Sequence, residues 1–389
     1  MRVSQMQQAL RDEGLDGWLF FDHHRRDPLA YRVLDFEPPH IPTRRWYYLV
    51  PAEGEPVKLV HRIESGMLDA LPGERTLYAG WGTQRAGLER MLAGRRRIAM
   101  QYSPQCAVPY VAMVDAGTVE LVRETGVEVA SSANLIQFFE ARWDQAKLES
   151  HLAAGRKVDA ARRDAFLWIG EQLRAGRVAT EWDVGCFLRA RFEAEGLITD
   201  HGPIVAVNAH ASDPHYEPKA SGSAAIGSGD VVLIDLWAKL ATPATVYYDI
   251  TWTGYCGDAV PDAVRNIFDT VRGARDAAVR CVIEAVAAGR PLYGFEVDDA
   301  ARGYIAGRGF GDYFFHRTGH SIGQEVHGSG ANMDNLETHD ERRVIPWTCF
   351  SIEPGIYLPE FGIRSEVNMF VGDSEARVTG EIQESVVRI

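Results

Sequence analysis

Two segments in the C-terminal part of the chain read HRTGHSIGQEVHG, residues 316–328, and FSIEPGIYLPEFGIRSEVNMF, residues 350–370. Their apolar, strand-like runs carry two carboxylates, Glu353 and Glu366, and the first segment holds three histidines, His316, His320 and His327. A carboxylate inside a buried strand costs several kcal/mol unless a positive group pairs with it. Arg364 could neutralise one of the two carboxylates but not both, so further positive charge is required.

The same pattern occurs upstream, in VVLIDLWAKLATPATVYYDITWT over residues 231–253, which contains Asp235 and Asp249. In both regions a strand carboxylate is followed 14 or 13 residues later by another one on a second strand, which suggests an internal repeat. We predict that residues 231–235 pair with 245–251, and residues 349–353 with 362–367. Because alternate residues of a strand share a face, the four carboxylates converge if both hairpins pack as one sheet.

Four strand carboxylates and one histidine make a ligand set for two divalent cations. Such oxygen-rich ligation with a single imidazole suits Mn²⁺, Co²⁺, Fe²⁺ or Zn²⁺ and not a structural zinc site. Without metal, the clustered carboxylates would repel one another and take up protons. We expect two divalent metal ions, with Mn²⁺ as the first choice.

Composition limits the partners. The chain has 389 residues, 46% of them hydrophobic and 24% charged, as in a soluble globular protein, and its net charge of −13 argues against nucleic acid or an anionic membrane. Its five scattered cysteines indicate neither disulfides nor a thiolate zinc site. With no apolar run of membrane-spanning length and no secretory pattern at the N-terminus, we expect a cytoplasmic protein.

The chain divides near residue 140. Residues 1–140 show strands with helices between them, and a different texture follows, with long helical patterns at 147–172 and 263–288. Thr180-Glu-Trp-Asp183 resembles a capping box that opens a further helix. We therefore predict an α+β protein of two domains, residues 1–140 and 141–389.

These residues resemble the pita-bread metallopeptidases: prolidase (Xaa-Pro dipeptidase), aminopeptidase P and methionine aminopeptidase, with the metal-free creatinase as a cousin. The resemblance covers the whole chain and is strongest from about His201 onward. It implies a pita-bread catalytic domain at 141–389, preceded by a smaller creatinase-like α/β domain at 1–140. It also implies a homodimer that acts on small peptides.

The resemblance assigns roles residue by residue. Asp235 is similar to the terminal ligand of one metal, Asp249 and Glu366 to the bridging ligands, and His320 and Glu353 to the ligands of the second metal. Glu353 also resembles the general base. His327, in EVHG, is similar to the histidine that stabilises the tetrahedral intermediate. His215, in DPHY, resembles the histidine that lines the substrate pocket, and Arg364 resembles the arginine beside the bridging glutamate.

Two departures from the family pattern concern the substrate. Trp237 stands where the family has glycine in Asp-x-Gly, and Trp252 where it has arginine in Asp-Ile-Thr-Arg. If both rings face the cleft, they leave less room for a long peptide. We expect metal-dependent hydrolysis of Xaa-Pro dipeptides, in which a metal-activated hydroxide attacks and Arg364 or a histidine meets the substrate carboxylate. The alternatives are an aminopeptidase P acting on longer peptides, a creatinase-type amidinohydrolase and a non-catalytic peptidase-like binding protein.

Overall fold

The computed structural model describes residues 3–389. These residues form two compact units, one that ends at Glu140 and another that begins at Ala141. In the described residues no helix is long and apolar enough to cross a lipid bilayer.

The first unit is a mixed sheet with helices between its strands. Its helices are α1 (Val3–Asp12), α2 (Pro28–Leu34), α3 (Trp81–Leu92), α4 (Ala116–Arg123) and α5 (Ala133–Ile136). Its strands are β1 (Gly17–Asp22), β2 (Trp46–Pro51), β3 (Val57–His61), β4 (Glu74–Tyr78), β5 (Arg97–Met100) and β6 (Glu128–Ser131). They lie in the order β4-β3-β2-β1-β5-β6, with β1-β2 and β2-β3 antiparallel and the other neighbours parallel.

The second unit contains α6 (Gln145–Arg174), α7 (Glu181–Ala194), α8 (Asp262–Ala287) and α9 (Gly294–Ala306). The long helices predicted at 147–172 and 263–288 are confirmed as α6 and α8. The predicted capping box is also confirmed, because Thr180 and Asp183 exchange hydrogen bonds between side chain and backbone at the start of α7. These contacts satisfy backbone N–H groups that have no partner inside the helix.

The strands of the second unit are mostly short. They are β7 (Ala179–Thr180), β8 (Leu197–Ile198), β9 (Ile204–Val207), β10 (Ala225–Ile226), β11 (Val231–Leu240), β12 (Tyr248–Tyr255), β13 (Ser321–Ile322), β14 (Thr348–Ile352), β15 (Gly355–Tyr357), β16 (Gly362–Arg364), β17 (Val367–Val371), β18 (Ala376–Thr379) and β19 (Val387–Arg388). One sheet has the order β19-β12-β11-β8 with β9 also on β11, and another has the order β13-β14-β17-β18.

The first predicted hairpin forms, since β11 and β12 pair antiparallel with Asp235 opposite Thr251 and Trp237 opposite Asp249, but its register is shifted, because residues 231–234 pair with 252–255 and not with 245–251. Every second residue of β11, including Ile234 and Leu236, belongs to the apolar cluster shared with α6. The pleat therefore leaves Asp235 and Trp237 on the opposite face, beside Asp249 and Thr251.

The second predicted hairpin is wrong in its register. Residues 362–364 pair with 355–357, while β14 pairs with β17, which begins after Glu366. The chain folds back on itself between β14 and β17, so that β15 and β16 form a small separate ladder between these two paired strands. Ser365 and Glu366 consequently lie between β16 and β17 and not inside one continuous strand.

The expectation that both hairpins share one sheet is also wrong, because the two carboxylate pairs belong to different sheets that meet edge to edge. The Glu366 backbone N–H donates to the Thr251 carbonyl at 3.1 Å. The Asn368 side chain accepts from the Asp249 N–H at 3.2 Å and donates to the Asp249 carbonyl at 2.6 Å. This junction aligns the strand carrying Asp249 with the segment carrying Glu366.

Trp252 does not face the site, contrary to the hypothesis that both tryptophans narrow the cleft. It lies on the α6 face of β12, where the Arg162 guanidinium stacks on its ring at 3.5 Å from the centroid. The alternation along β12 explains this, since Asp249 and Thr251 take the other face. Trp237 remains on the site face.

The segment before His320 allows no side chain at Gly319. A Cβ there would lie 1.9 Å from the Ser351 carbonyl oxygen of β14, which is backbone and cannot move aside cheaply. We predict that Gly319→Ala lowers the free energy of unfolding by roughly 1–3 kcal/mol, the usual range for overpacking. Chemical denaturation of the metal-free protein measures this change.

Gly303, inside α9, is the matched control, because a Cβ there would have no heavy atom within 4 Å. Gly303→Ala should raise the free energy of unfolding by about 0.5–1 kcal/mol, since alanine restricts the unfolded chain and favours the helix. Equal effects of the two substitutions would show that close packing at Gly319 does not position the His320 segment.

Candidate metal centre

The centre of the site is formed by Asp249, His320 and Glu366. All three are buried, and one potential ligand atom of each lies within 4.8 Å of the others. Asp249 comes from β12, His320 from the residue before β13, and Glu366 from the link between β16 and β17. The junction of the two sheets thus brings Asp249 together with a residue more than a hundred positions away along the chain.

Asp249 and Glu366 each keep a buried oxygen with no hydrogen-bond partner. Within residues 3–389, nothing bonds to Asp249 Oδ1 or Glu366 Oε1. The other Glu366 oxygen, Oε2, accepts from the Thr251 hydroxyl at 2.9 Å. Burial, and then the neighbouring carboxylates, raise the pKa of both groups well above the ordinary range. A bare anion in this position is unfavourable, whereas a cation would satisfy both oxygens.

His320 is oriented as a neutral ligand. Its backbone N–H donates to the Ser351 hydroxyl at 2.9 Å, and its ring Nδ1 lies 3.2 Å from the Ser321 carbonyl oxygen. Assigning the proton to Nδ1, which then donates to that carbonyl, leaves the Nε2 lone pair free. Nε2 lies 3.5 Å from Asp249 Oδ2 and 3.4 Å from Glu353 Oε1. Burial lowers the pKa of His320, which favours the neutral imidazole needed for ligation.

Glu353 follows β14 and stands beside His320. The Ser351 hydroxyl donates to Glu353 Oε1 at 3.1 Å, and burial raises the pKa of this carboxyl against the lowering effect of His320. Ser351 therefore contacts both His320 and Glu353 and fixes their separation.

Arg364 pairs with Asp235, with 2.5 Å between Nη2 and Oδ2. It also donates to the Thr251 hydroxyl at 3.0 Å and to the Tyr357 hydroxyl at 3.1 Å. The residue was expected beside the bridging glutamate: the Thr251 hydroxyl contacts both Arg364 and Glu366, and the Arg364 charge lowers the pKa of Glu366 against the larger raising effects of burial and the neighbouring acids. The Arg364 side chain is only 3% exposed, and its positive charge offsets part of the negative charge of the neighbouring carboxylates.

His327 and His215 complete the set of predicted residues. The His327 ring meets the His320 ring edge-on, with centroids 4.4 Å apart. Repulsion from a protonated His320, followed by burial and the charges of Arg317 and His215, lowers the pKa of His327 to about 3, and burial acts in the same direction when His320 is neutral. His215 is exposed in the 213–222 loop and lines a cavity of about 390 Å³ together with Tyr216 and Lys219. His327 therefore lies against His320 of the centre, and His215 lies within electrostatic reach of His327.

Sequence reasoning missed three supporting residues. Thr251 and Asn368 hold Glu366 and Asp249 by side-chain hydrogen bonds, and the Tyr357 hydroxyl bonds to both Arg364 and His316. The alternation along β12 placed Thr251 on the Asp249 face but did not reveal its role. Nothing in the sequence indicated the contact between Asn368 and Asp249, because it crosses from one sheet to the other.

The arrangement fits divalent metal ions. Two buried oxygens without partners, a histidine with its Nε2 free and two further carboxylates converge, and Arg364 supplies one positive charge against four acids. The donor set of oxygens with one imidazole is typical of Mn²⁺, Fe²⁺, Co²⁺ or catalytic Zn²⁺. The residues that could hold such ions are Asp235, Asp249, His320, Glu353 and Glu366.

Two curated relatives share about a third of their aligned residues with the chain. One is the probable dipeptidase PepE of Mycobacterium tuberculosis, 31% identical over 231 residues, or 59% of this chain and 57% of the relative. The other is the Xaa-Pro dipeptidase of Lactobacillus delbrueckii subsp. lactis, 32% identical over 223 residues, or 57% of this chain and 55% of the relative. The chain thus spans little more than half the length of the curated relatives that it matches.

The fold itself is shared over the whole length. The crystal structure of dipeptidase PepE from Mycobacterium ulcerans has a TM-score of 0.70 at 24% identity and covers 100% of this chain and 97% of that one. This likeness confirms the predicted α+β class and pita-bread fold. The model of metallopeptidase family M24 matches residues 149–373, more than half of the chain. The predicted family is therefore confirmed, and the chain belongs to metallopeptidase family M24.

Proposed function

We propose that the chain is a peptidase that hydrolyses Xaa-Pro dipeptides with two divalent cations, held by Asp235, Asp249, His320, Glu353 and Glu366. The observation that carries this proposal is the pair of buried, unpartnered oxygens on Asp249 and Glu366, close to the free Nε2 of His320. Two bound cations would supply a water of lowered pKa as the nucleophile and would polarise the substrate carbonyl.

Glu353 is proposed as the general base. Its carboxyl faces His320 and is held by Ser351, and its raised pKa lets it accept a proton that it can later return to the leaving proline nitrogen. The proline nitrogen must gain a proton to leave as a neutral amine, because an amide anion is a poor leaving group. Ser351 keeps the carboxyl in place between these two proton transfers.

His327 is proposed to stabilise the oxygen that becomes negative when the carbonyl is attacked. With its pKa lowered to about 3, the ring is neutral at physiological pH and donates a hydrogen bond through an N–H. Its edge-on contact with His320 places it beside the centre. A neutral donor also avoids adding charge next to the cations.

The dipeptide preference rests on the relatives' names and on Trp237. Trp252 no longer supports it, since that ring faces α6. Each of the three Arg364 side-chain nitrogens already donates a hydrogen bond, and the side chain is buried, so we propose that it holds Asp235 and does not meet the substrate carboxylate. His215, exposed and close to His327, is the better candidate for lining the proline side of the pocket.

The same proposal includes Mn²⁺ as the preferred metal, a cytoplasmic location, a homodimer and a creatinase-like domain at residues 1–140. The five free cysteines support a reducing compartment. Aminopeptidase P activity on longer peptides is the alternative, and substrate length distinguishes the two.

Metal dependence tests the site directly. Chelation should abolish hydrolysis of Leu-Pro, and Mn²⁺ should restore it. Glu366→Gln should weaken Mn²⁺ binding in calorimetry, because it removes a charge from the ligand set. In metal-free protein the same substitution should raise the free energy of unfolding, measured by denaturation in chelator.

The size of this stabilisation by Glu366→Gln depends on pH. Since burial raises the Glu366 pKa above its ordinary value of 4.5, the carboxyl stabilises the metal-free fold only while protonated, and this contribution is lost as pH rises through the raised pKa. The advantage of Glu366→Gln should thus be larger at about pH 8 than at about pH 5. Glu360→Gln, in an exposed turn, is the control. Full activity in chelator would refute the proposal and favour a creatinase-like reaction.

His327→Ala should lower kcat by ~10²–10³, the range for losing one donor to a developing oxyanion, with little change in KM. Steady-state kinetics with Leu-Pro at saturating Mn²⁺ measures this, and metal analysis must show both ions retained. His339→Ala, on a half-exposed histidine in the 335–341 loop, is the control. An unchanged kcat, or loss of metal, would show that His327 has a different role.

Substrate length decides between the two peptidase activities. A dipeptidase should cleave Leu-Pro with a far higher kcat/KM than Leu-Pro-Pro or Leu-Pro-amide, because only the dipeptide presents a carboxylate on its proline. The three rates are measured side by side at saturating Mn²⁺. Equal cleavage of the tripeptide would replace the dipeptidase proposal with aminopeptidase P.

A further inference from the structure

Trp237 holds the carboxylate of Asp200 on the face of β11 that also carries Asp235. It lies two residues after Asp235 and directly opposite Asp249 in the β11-β12 register. Its ring packs on Gly202, where a Cβ would come within 2.8 Å of the indole. The indole Nε1–H donates to Asp200 Oδ1 at 2.7 Å. A tryptophan at this strand position therefore fixes a carboxylate that lies outside the predicted ligand set.

Asp200 is held from several directions. Its side chain also accepts from the His201 backbone N–H at 3.0 Å, and a backbone hydrogen bond joins Asp200 to the Tyr247 side chain. Partial burial raises the pKa of Asp200, but the bond from Trp237, together with the backbone N–H groups, lowers it overall. The carboxylate is thus ionised and oriented at neutral pH.

Asp200 lies close to the centre. Its charge helps to raise the pKa of Asp249, after the larger effects of burial, Asp235 and Arg364. It also opposes the lowering of the pKa of His327, which comes mainly from His320 and burial. Asp200 therefore lies within electrostatic reach of both Asp249 and His327. The side chain is 43% exposed, so a ligand in the cleft can reach it.

Neighbouring cations do not neutralise Asp200 fully. Lys239 donates to the Gln324 carbonyl oxygen and lies over the Tyr247 ring, 4.7 Å from its centroid. His201 approaches Asp200 Oδ2 at 3.3 Å, but it is 69% exposed and can turn away into solvent. A cation brought by a ligand can take the position of His201.

We propose that Asp200, oriented by Trp237, is a recognition site for a primary ammonium group on the N-terminal residue of the substrate. This inference rests on the proposed function and names a specificity residue for it. The ammonium is either the α-amino group, which every free dipeptide carries, or the end of a lysine side chain. Both sources offer the same charge-assisted hydrogen bond to the carboxylate.

Three substrates separate the two sources: Ala-Pro, Lys-Pro and norleucyl-proline, whose side chain resembles that of lysine without the charge. Asp200→Asn keeps the shape and the acceptor oxygen for Trp237 but removes the charge. It should raise KM about tenfold with kcat nearly unchanged, since the interaction is made equally in ground and transition states. If KM rises for all three substrates, Asp200 binds the α-ammonium group. If KM rises for Lys-Pro alone, Asp200 binds the ammonium group of the lysine side chain.

Trp237→Phe keeps an aromatic ring but removes the donor to Asp200. It should raise KM for the same substrates by a smaller factor, which shows that orientation of the carboxylate matters. Asp258→Asn is the matched control, because it removes the same charge from an exposed turn beyond the far end of β12. Its KM values should equal those of the wild type.

Unchanged KM values in Asp200→Asn for all three substrates would overturn the inference, as would a loss confined to kcat or an equal effect of Asp258→Asn. Calorimetry with free lysine, norleucine and alanine and the Mn²⁺-loaded protein measures ammonium binding at the same site without turnover. If the wild type cleaves no Xaa-Pro dipeptide, the proposed function fails. Loss of amino-acid binding in Asp200→Asn would still support the ammonium site, and equal binding by both proteins would refute it.

Discussion

The burial of several like charges in one place is the constraint on which the second unit depends. Asp249 and Glu366 are only 4% and 2% exposed, and each has an oxygen that no group in residues 3–389 satisfies. Such a cluster opposes folding unless positive charge enters it. Arg364 supplies part of that charge: it forms an ion pair with Asp235 and donates a hydrogen bond to Thr251. The remainder is the reason that metal ions fit the site.

Hydrogen bonds from Thr251 and Asn368 fix the relative positions of the buried carboxylates. Thr251 accepts from Arg364 and donates to Glu366, and Asn368 bonds to both backbone groups of Asp249. Each of these contacts joins the strand that carries Asp249 to the segment around Glu366. The junction between the sheets and the candidate metal centre are therefore one structure, and a change that separates the sheets would also separate the ligands.

The two tryptophans that depart from the family pattern do different things, although they occupy neighbouring strands. Trp252 packs under Arg162 in the layer between sheet and helix and belongs to the core. Trp237, on the other face, holds Asp200 next to the site. Their opposite orientation follows from the strand pleat, since Trp252 alternates with Asp249 and Thr251 whereas Trp237 lies opposite Asp249.

The resemblance to the pita-bread metallopeptidases selected His320 among three histidines, whereas residue patterns alone predicted the helices α6 and α8, the capping box at Thr180, the β11-β12 hairpin and the four clustered carboxylates. These features depend on periodicity, on caps and on acids set in apolar runs, which are local properties of the chain. The folded structure was needed to establish the pairing of β14 with β17, the separation of the carboxylates over two sheets, the partner of Arg364 and the position of Asp200. Those outcomes depend on contacts between segments far apart in sequence, such as Arg364 with Asp235, 129 positions away. Local residue pattern carries no information about such contacts, because the energy that selects them arises only when the segments pack.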